Sequence, residues 1–79
     1  IMTKGELLTL KGQKVIFKVV DHFPDLKVQF VDHFGDLKVK ISDTRSFAKT
    51  TIKIKVVTSF PDVKIEKVRN FGDIEAYIE

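Results

Sequence analysis

The chain has no cysteine, no tryptophan, a single tyrosine, two prolines and four glycines in 79 residues. Without cysteine there is no disulfide to staple the fold and no thiolate to ligate zinc. With only two histidines, His22 and His33, imidazole chemistry is confined to two places. No apolar run approaches the roughly 20 residues of a membrane-spanning helix. No secretory signal pattern opens the chain, so a cytoplasmic location is the expectation. Ile1 ahead of Met2 reads as an addition before the natural first residue. Also missing are a serine-centred elbow, a phosphate-cradling glycine loop and a dinucleotide fingerprint. The reading is therefore of a non-enzymatic chain with no cofactor and no catalytic residue. At this length it is a single domain, 1–79, with a modest core.

What is present is repetition. Val20–Val28 reads VDHFPDLKV and Val31–Val39 reads VDHFGDLKV, 11 residues on. The pattern returns as Val57–Ile65 (VTSFPDVKI) and Val68–Ala76 (VRNFGDIEA), again 11 apart. Phe-Pro-Asp at 23–25 recurs at 60–62 and Phe-Gly-Asp at 34–36 recurs at 71–73, both displaced by 37. Such nested periods take precedence in a fold assignment. They divide the chain into an N-terminal lead (1–12), a first half (13–41), a connector (42–51) and a second half (52–79).

Each half alternates apolar and polar residues with the period of a strand. The inward sets are Val15, Phe17 and Val19; Leu26, Val28 and Phe30; Leu37, Val39 and Ile41; Ile52, Ile54 and Val56; Val63 and Ile65; Ile74, Ala76 and Ile78. The outward sets are mostly charged, with Ile16 an apolar exception. The fold class is all-β, with six short strands from two duplicated three-strand halves. Between strands stand the corners Phe23-Pro24-Asp25, Phe34-Gly35-Asp36, Phe60-Pro61-Asp62 and Phe71-Gly72-Asp73. Proline sets φ for a turn and glycine supplies positive φ. The following Asp can accept bonds from nearby backbone N–H groups. Such short links suggest hairpins. Val20, Val31, Val57 and Val68 interrupt the alternation and suggest a bulge or bend. The four corner phenylalanines are expected to stack in the core, where aromatic rings bury large areas. Leu7, Leu8 and Leu10 in the lead suggest a short strand or turn. The connector, polar apart from Phe47 and Ala48, could hold one helical turn capped by Asp43 or Thr44.

The strings DHFPDLKVQFVDHFGDLKVK and SFPDVKIEKVRNFGDIEAYI resemble the bacterial septoil-knot domain family over about residues 14–79. The second half departs from it where Lys67 replaces Phe30 and Arg69-Asn70 replaces Asp32-His33. The resemblance implies a chain whose two halves intertwine in a deep, seven-crossing torus knot, strands of one half pairing largely with strands of the other. The residues alone also fit an ordinary antiparallel meander or sandwich.

Three kinds of chemistry can be weighed. Asp21-His22 and Asp32-His33 could bind a divalent metal only if the pairs converged, and the second half has Thr58-Ser59 and Arg69-Asn70 there, so no metal site is assigned. The corner aspartates read as turn residues rather than acid–base pairs. The outward lysines, Lys27, Lys38, Lys40, Lys53, Lys55 and Lys64, together with Lys18, could contact phosphates, and Tyr77 is the one outward aromatic expected among them. The net charge of +3 permits weak attraction to nucleic acid. Two functions follow as expectations. One is a kinetically stable, monomeric scaffold or interaction module with an unidentified partner. The other is weak, sequence-independent nucleic-acid binding through the lysine faces.

Overall fold

The computed structural model describes residues 3–45 and 48–79. Six strands form: β1 (Lys14–Val19), β2 (Leu26–Val31), β3 (Leu37–Ile41), β4 (Thr50–Val56), β5 (Val63–Val68) and β6 (Ile74–Ile78). They close into a barrel in the order β1-β4-β2-β5-β3-β6. Every pairing is parallel, and every pairing joins a strand of one half to a strand of the other. The cross-half pairing that the resemblance implied is therefore present. The hairpins suggested by the short links are not.

Parallel neighbours ordinarily need a crossover of a dozen or more residues. Stagger removes that need here. Val19, which ends β1, and Leu26, which begins β2, flank the same residue, Ile54 of β4. Phe30 and Leu37 likewise flank Ile65 of β5. Val56 and Val63 flank Val28 of β2, and Lys67 and Ile74 flank Val39 of β3. Each corner thus starts and ends level with one residue of the intervening strand. It has only to step sideways across that strand, about 9.6 Å for two strand spacings.

The corners are anchored on both edges of the strand they cross. Over β4, the Val20 N–H donates to the Ile54 carbonyl at 2.9 Å and the Asp25 N–H to the Lys53 carbonyl at 2.8 Å. Over β2, Val57 donates to Val28 at 2.9 Å and Asp62 to Lys27 at 2.8 Å. The valines that break the alternation are accounted for by this step. Val31 and Val68 end β2 and β5, and Val20 and Val57 lie just past β1 and β4.

The core is the barrel interior. Val15, Phe17, Leu26, Val28, Leu37, Val39, Ile52, Ile54, Val63, Ile65, Ile74 and Ala76 are buried, as the alternation predicts. Burial fails at the strand ends: Val19 is 46% and Val56 48% exposed, because the third inward position of each lies beyond the packed interior. Ile16 departs the other way. It points outward in the alternation yet is buried, opposite Tyr77 of β6 and Thr51 of β4. The Lys67 ammonium lies 4.5 Å from the centroid of the Phe30 ring, a cation–π contact between positions equivalent in the two halves.

The N-terminal lead forms a helix, α1 (Lys4–Leu8), rather than a strand or turn. Thr3 caps it, its hydroxyl accepting the Glu6 N–H at 3.2 Å and donating to the Glu6 carboxylate at 3.4 Å. Thr-x-x-Glu is the signature of a capping box. Leu7 is fully buried against the barrel core, and Leu8 and Leu10 pack beside it. Between β3 and β4, residues 42–45 and 48–49 contain no helical turn, and Phe47 lies outside the described residues.

Candidate interaction surface

The corner motif works differently from a hairpin turn. Each aspartate clamps one residue of the other half at two points. The Asp25 N–H bonds the Lys53 carbonyl while its carboxylate accepts the Lys53 N–H at 3.0 Å. Asp62 holds Lys27 in the same way, its carboxylate accepting at 2.9 Å. Asp36 holds Lys64 at 2.9 Å and Asp73 holds Lys38 at 3.1 Å. The backbone N–H groups that these four carboxylates accept are not the nearby ones expected of turn residues but lie 28 or 35 positions away in sequence. The carboxylates complete the ladder where each strand begins.

Asp36 also pairs with Lys4, whose ammonium is 3.1 Å away. The Lys64 N–H, opposed by partial desolvation and then aided by Lys4, holds the Asp36 carboxyl below its ordinary 3.8. A depressed folded value means that Asp36 contributes stability fully above about pH 4, and that this is lost as pH falls through the folded value. Asp36→Asn is expected to destabilise the fold near neutral pH and to cost progressively less as pH falls below the ordinary 3.8 toward the depressed folded value. Urea titrations of both proteins across that range check it, and a pH-independent difference would refute it.

Glycine is required in two corners for space. A Cβ on Gly35 would sit 2.7 Å from the Glu66 nitrogen of β5, and one on Gly72 would sit 2.5 Å from the Lys40 nitrogen of β3. The left-handed conformation expected of these glycines belongs instead to the phenylalanine of each corner. Phe23, Phe34, Phe60 and Phe71 have φ of 54°, 59°, 52° and 57°. None is in the core: they are 92%, 96%, 93% and 98% exposed. The expected aromatic stack is overturned because a corner crossing the outside of a strand cannot turn its middle residue inward.

The outward lysines separate into two regions. On β1, β4, β2 and β5, Lys18 faces Lys53, Lys27 faces Lys55 and Gln29 faces Lys64, with no acid paired within those rows. On β5, β3, β6 and β1, acids are interleaved: Glu66 stands beside Lys38, and Glu75 stands 3.8 Å from both Lys40 and Lys14. Of the six lysines singled out from the pattern, the structure therefore brings together Lys27, Lys53, Lys55 and Lys64. It places Lys38 and Lys40 in the mixed region. Tyr77 is only partly exposed, beside Ile16. The aromatics that the pattern missed are the four corner phenylalanines. Their repetition was visible, but nothing in it revealed the outward crossing.

The Asp21-His22 and Asp32-His33 pairs sit in separate corners, over β4 and β5. Among the described residues no group of three or more His, Asp or Glu is placed to hold a metal ion. No helix among the described residues is long and apolar enough to cross a membrane.

The sequence model of the 7(1) septoil knot domain matches residues 10–51. An uncharacterized protein of Ureaplasma parvum serovar 3 is 75% identical over 76 residues, covering 96% of this chain and 85% of the relative. Together with cross-half pairing throughout the barrel, these matches establish that the chain belongs to the septoil knot domain family.

Proposed function

We propose that this protein is a non-enzymatic, cytoplasmic interaction module whose two halves are threaded through one another, so that it persists folded by a kinetic barrier. The observation that carries the reading is that no strand pairs within its own half. Neither half can peel off as a unit of sheet, because every ladder it would leave is shared with the other. In such a fold operational stability is a rate. The absence of enzymatic chemistry is supported by the corner aspartates, whose carboxylates are all engaged by backbone N–H groups. A second reading, sequence-independent nucleic-acid binding, is favoured by the gathering of Lys27, Lys53, Lys55 and Lys64 with Lys18 on one side of the barrel.

Trypsin offers a direct test, since 14 lysines and arginines supply cleavage points. Under native conditions the barrel is expected to survive for hours, with cuts confined to the lead and the connector. Cleavage within β2, β4 or β5 at the pace of an unstructured control would defeat the reading.

A further inference from the structure

We infer that the outer face of β4, β2 and β5, with the corners Phe23, Phe60 and Phe34 along it, is a track for single-stranded nucleic acid. This rests on the reading of the chain as an interaction module and names its partner class.

The first observation is conformational. A bulky side chain in the left-handed region is a genuine outlier, because its Cβ crowds the following carbonyl oxygen. Four such residues recur at the same place in the repeat. Burial returns almost nothing, because each ring is at least 92% exposed. Glycine would relieve the strain, and one step back in the repeat, ahead of β1, the left-handed slot is held by Gly12 with φ 86°. Backbone strain held at an exposed, bulky side chain is a pointer to function.

The second observation is electrostatic and independent of the first. Lys18, Lys53, Lys55, Lys27 and Lys64 occupy three adjacent outward rows. The acids that end these rows are Asp25, Asp62 and Asp36, whose carboxylates are occupied by backbone N–H groups. Aromatic faces alternating with cations are what sequence-tolerant single-strand binders use, bases stacking on the rings and phosphates meeting the lysines.

The third is the spacing. The corners lie on successive strands: Phe23 enters β2, Phe60 enters β5 and Phe34 enters β3. The clamps step from Lys53 to Lys27 to Lys64, so each corner is one strand over and two residues further along than the last. That is about 8 Å between equivalent backbone points, from ~4.8 Å across and ~6.6 Å along. The series curves round a barrel whose longest extent is 28 Å. A flexible single strand can follow that curve, whereas a flat bilayer meets one or two corners at a time and a stiff duplex hides its base faces.

The test is fluorescence anisotropy with labelled mixed-sequence single-stranded DNA and RNA 20-mers, the matching duplex, and phosphatidylserine-containing vesicles as competitor. Single strands are expected to bind at micromolar Kd and better than duplex. Affinity should fall by roughly 10–50-fold between about 50 and 200 mM salt, for three or four phosphates neutralised. Phe60→Gly, which removes a ring and relieves strain, should weaken binding by about 5–100-fold without changing the salt slope. Phe60→Asn, also tolerant of positive φ, repeats the test if the glycine variant misfolds. Lys53→Gln and Lys27→Gln should each lower the slope by about 0.7, and Lys11→Gln, away from the face, should do nothing. No binding at low salt, equal affinity for duplex, vesicles that displace the strand completely, or Phe60→Gly binding like the parent would each overturn the track. Protease resistance without binding sinks only this inference, and binding by a chain that trypsin degrades rapidly sinks only the persistence.

Discussion

Diluted into concentrated guanidinium chloride, the protein is expected to keep its far-UV circular dichroism for hours. Small two-state domains unfold at about 10 to 10⁻⁶ s⁻¹ in water, and strong denaturant normally brings the event within seconds. Here the corner of residues 20–25 bridges both edges of β4, and that of residues 57–62 bridges both edges of β2. Each half thus straps a strand of the other. On the proposed threading, a strand cannot leave its ladders until the corner strapped across it has opened, so the sheet itself is expected to melt slowly. Cleavage at a protease site engineered into the 42–49 connector separates topology from bonding. The barrel ladders remain, but each half gains a free end at the middle of the old chain. The cut protein is expected to unfold at least tenfold faster than the intact one at equal denaturant. Unfolding of the intact chain in seconds, at the same rate as the cut form, would remove the threading barrier.

Gly72→Ala is expected to destabilise the fold by about 3 kcal/mol or more, at the upper end of overpacking penalties. The added methyl would lie 2.5 Å from the Lys40 nitrogen and 3.1 Å from both Lys40 Cβ and the Ile74 carbonyl oxygen. Two of these three neighbours are backbone. The Lys40 backbone belongs to β3, which is held by β5 on one side and β6 on the other, so it cannot move aside cheaply. At least a hundredfold shift in the folded-to-unfolded ratio follows, by about 1.4 kcal/mol per tenfold. Gly5→Ala is the control. Its methyl would meet only the Thr3 hydroxyl at 3.8 Å, and alanine favours the helix by up to about 1 kcal/mol. Urea midpoints, approached from the folded and the unfolded side until they coincide, measure both. A Gly72→Ala protein within 0.5 kcal/mol of the parent would show that the corner does not press on β3.

The strands and core residues were legible because alternation reports which face is buried whatever lies beside the strand. Leu26, Val28, Ile52 and Ile54 are inward in any sheet that has one wet face. The direction of pairing was not legible. Phe-Pro-Asp looks like a hairpin because turn chemistry is local, while the stagger that lets Val19 and Leu26 share Ile54 is set by the other half. The outward phenylalanines were misassigned for the same reason: hydrophobicity argues for burial unless the backbone path forbids it. The family resemblance supplied the cross-half pairing that the pattern alone left open. In the lead, Thr3-x-x-Glu6 was a readable cap, overshadowed by three leucines without a helical period. On the surface, the lysine alternation was correct strand by strand. Which lysines share a face depended on the strand order, which separates Lys53 and Lys27 from Lys38 and Lys40.

The order β1-β4-β2-β5-β3-β6 also bears on how the chain can be made. A nascent polypeptide leaves the ribosome from its N-terminus at about 5–20 residues per second. When residues 13–41 have emerged, all three of their strands exist as sequence and none has a partner. β4 must appear before β1 or β2 can form a single ladder bond, and the barrel closes only with β6. For on the order of a few seconds at that elongation rate, the first half is an unpaired, valine-rich segment in the open. The charges spaced along that segment, Lys18, Lys27, Lys38 and Lys40 among them, disfavour its pairing edge to edge with a second copy of the same repeat.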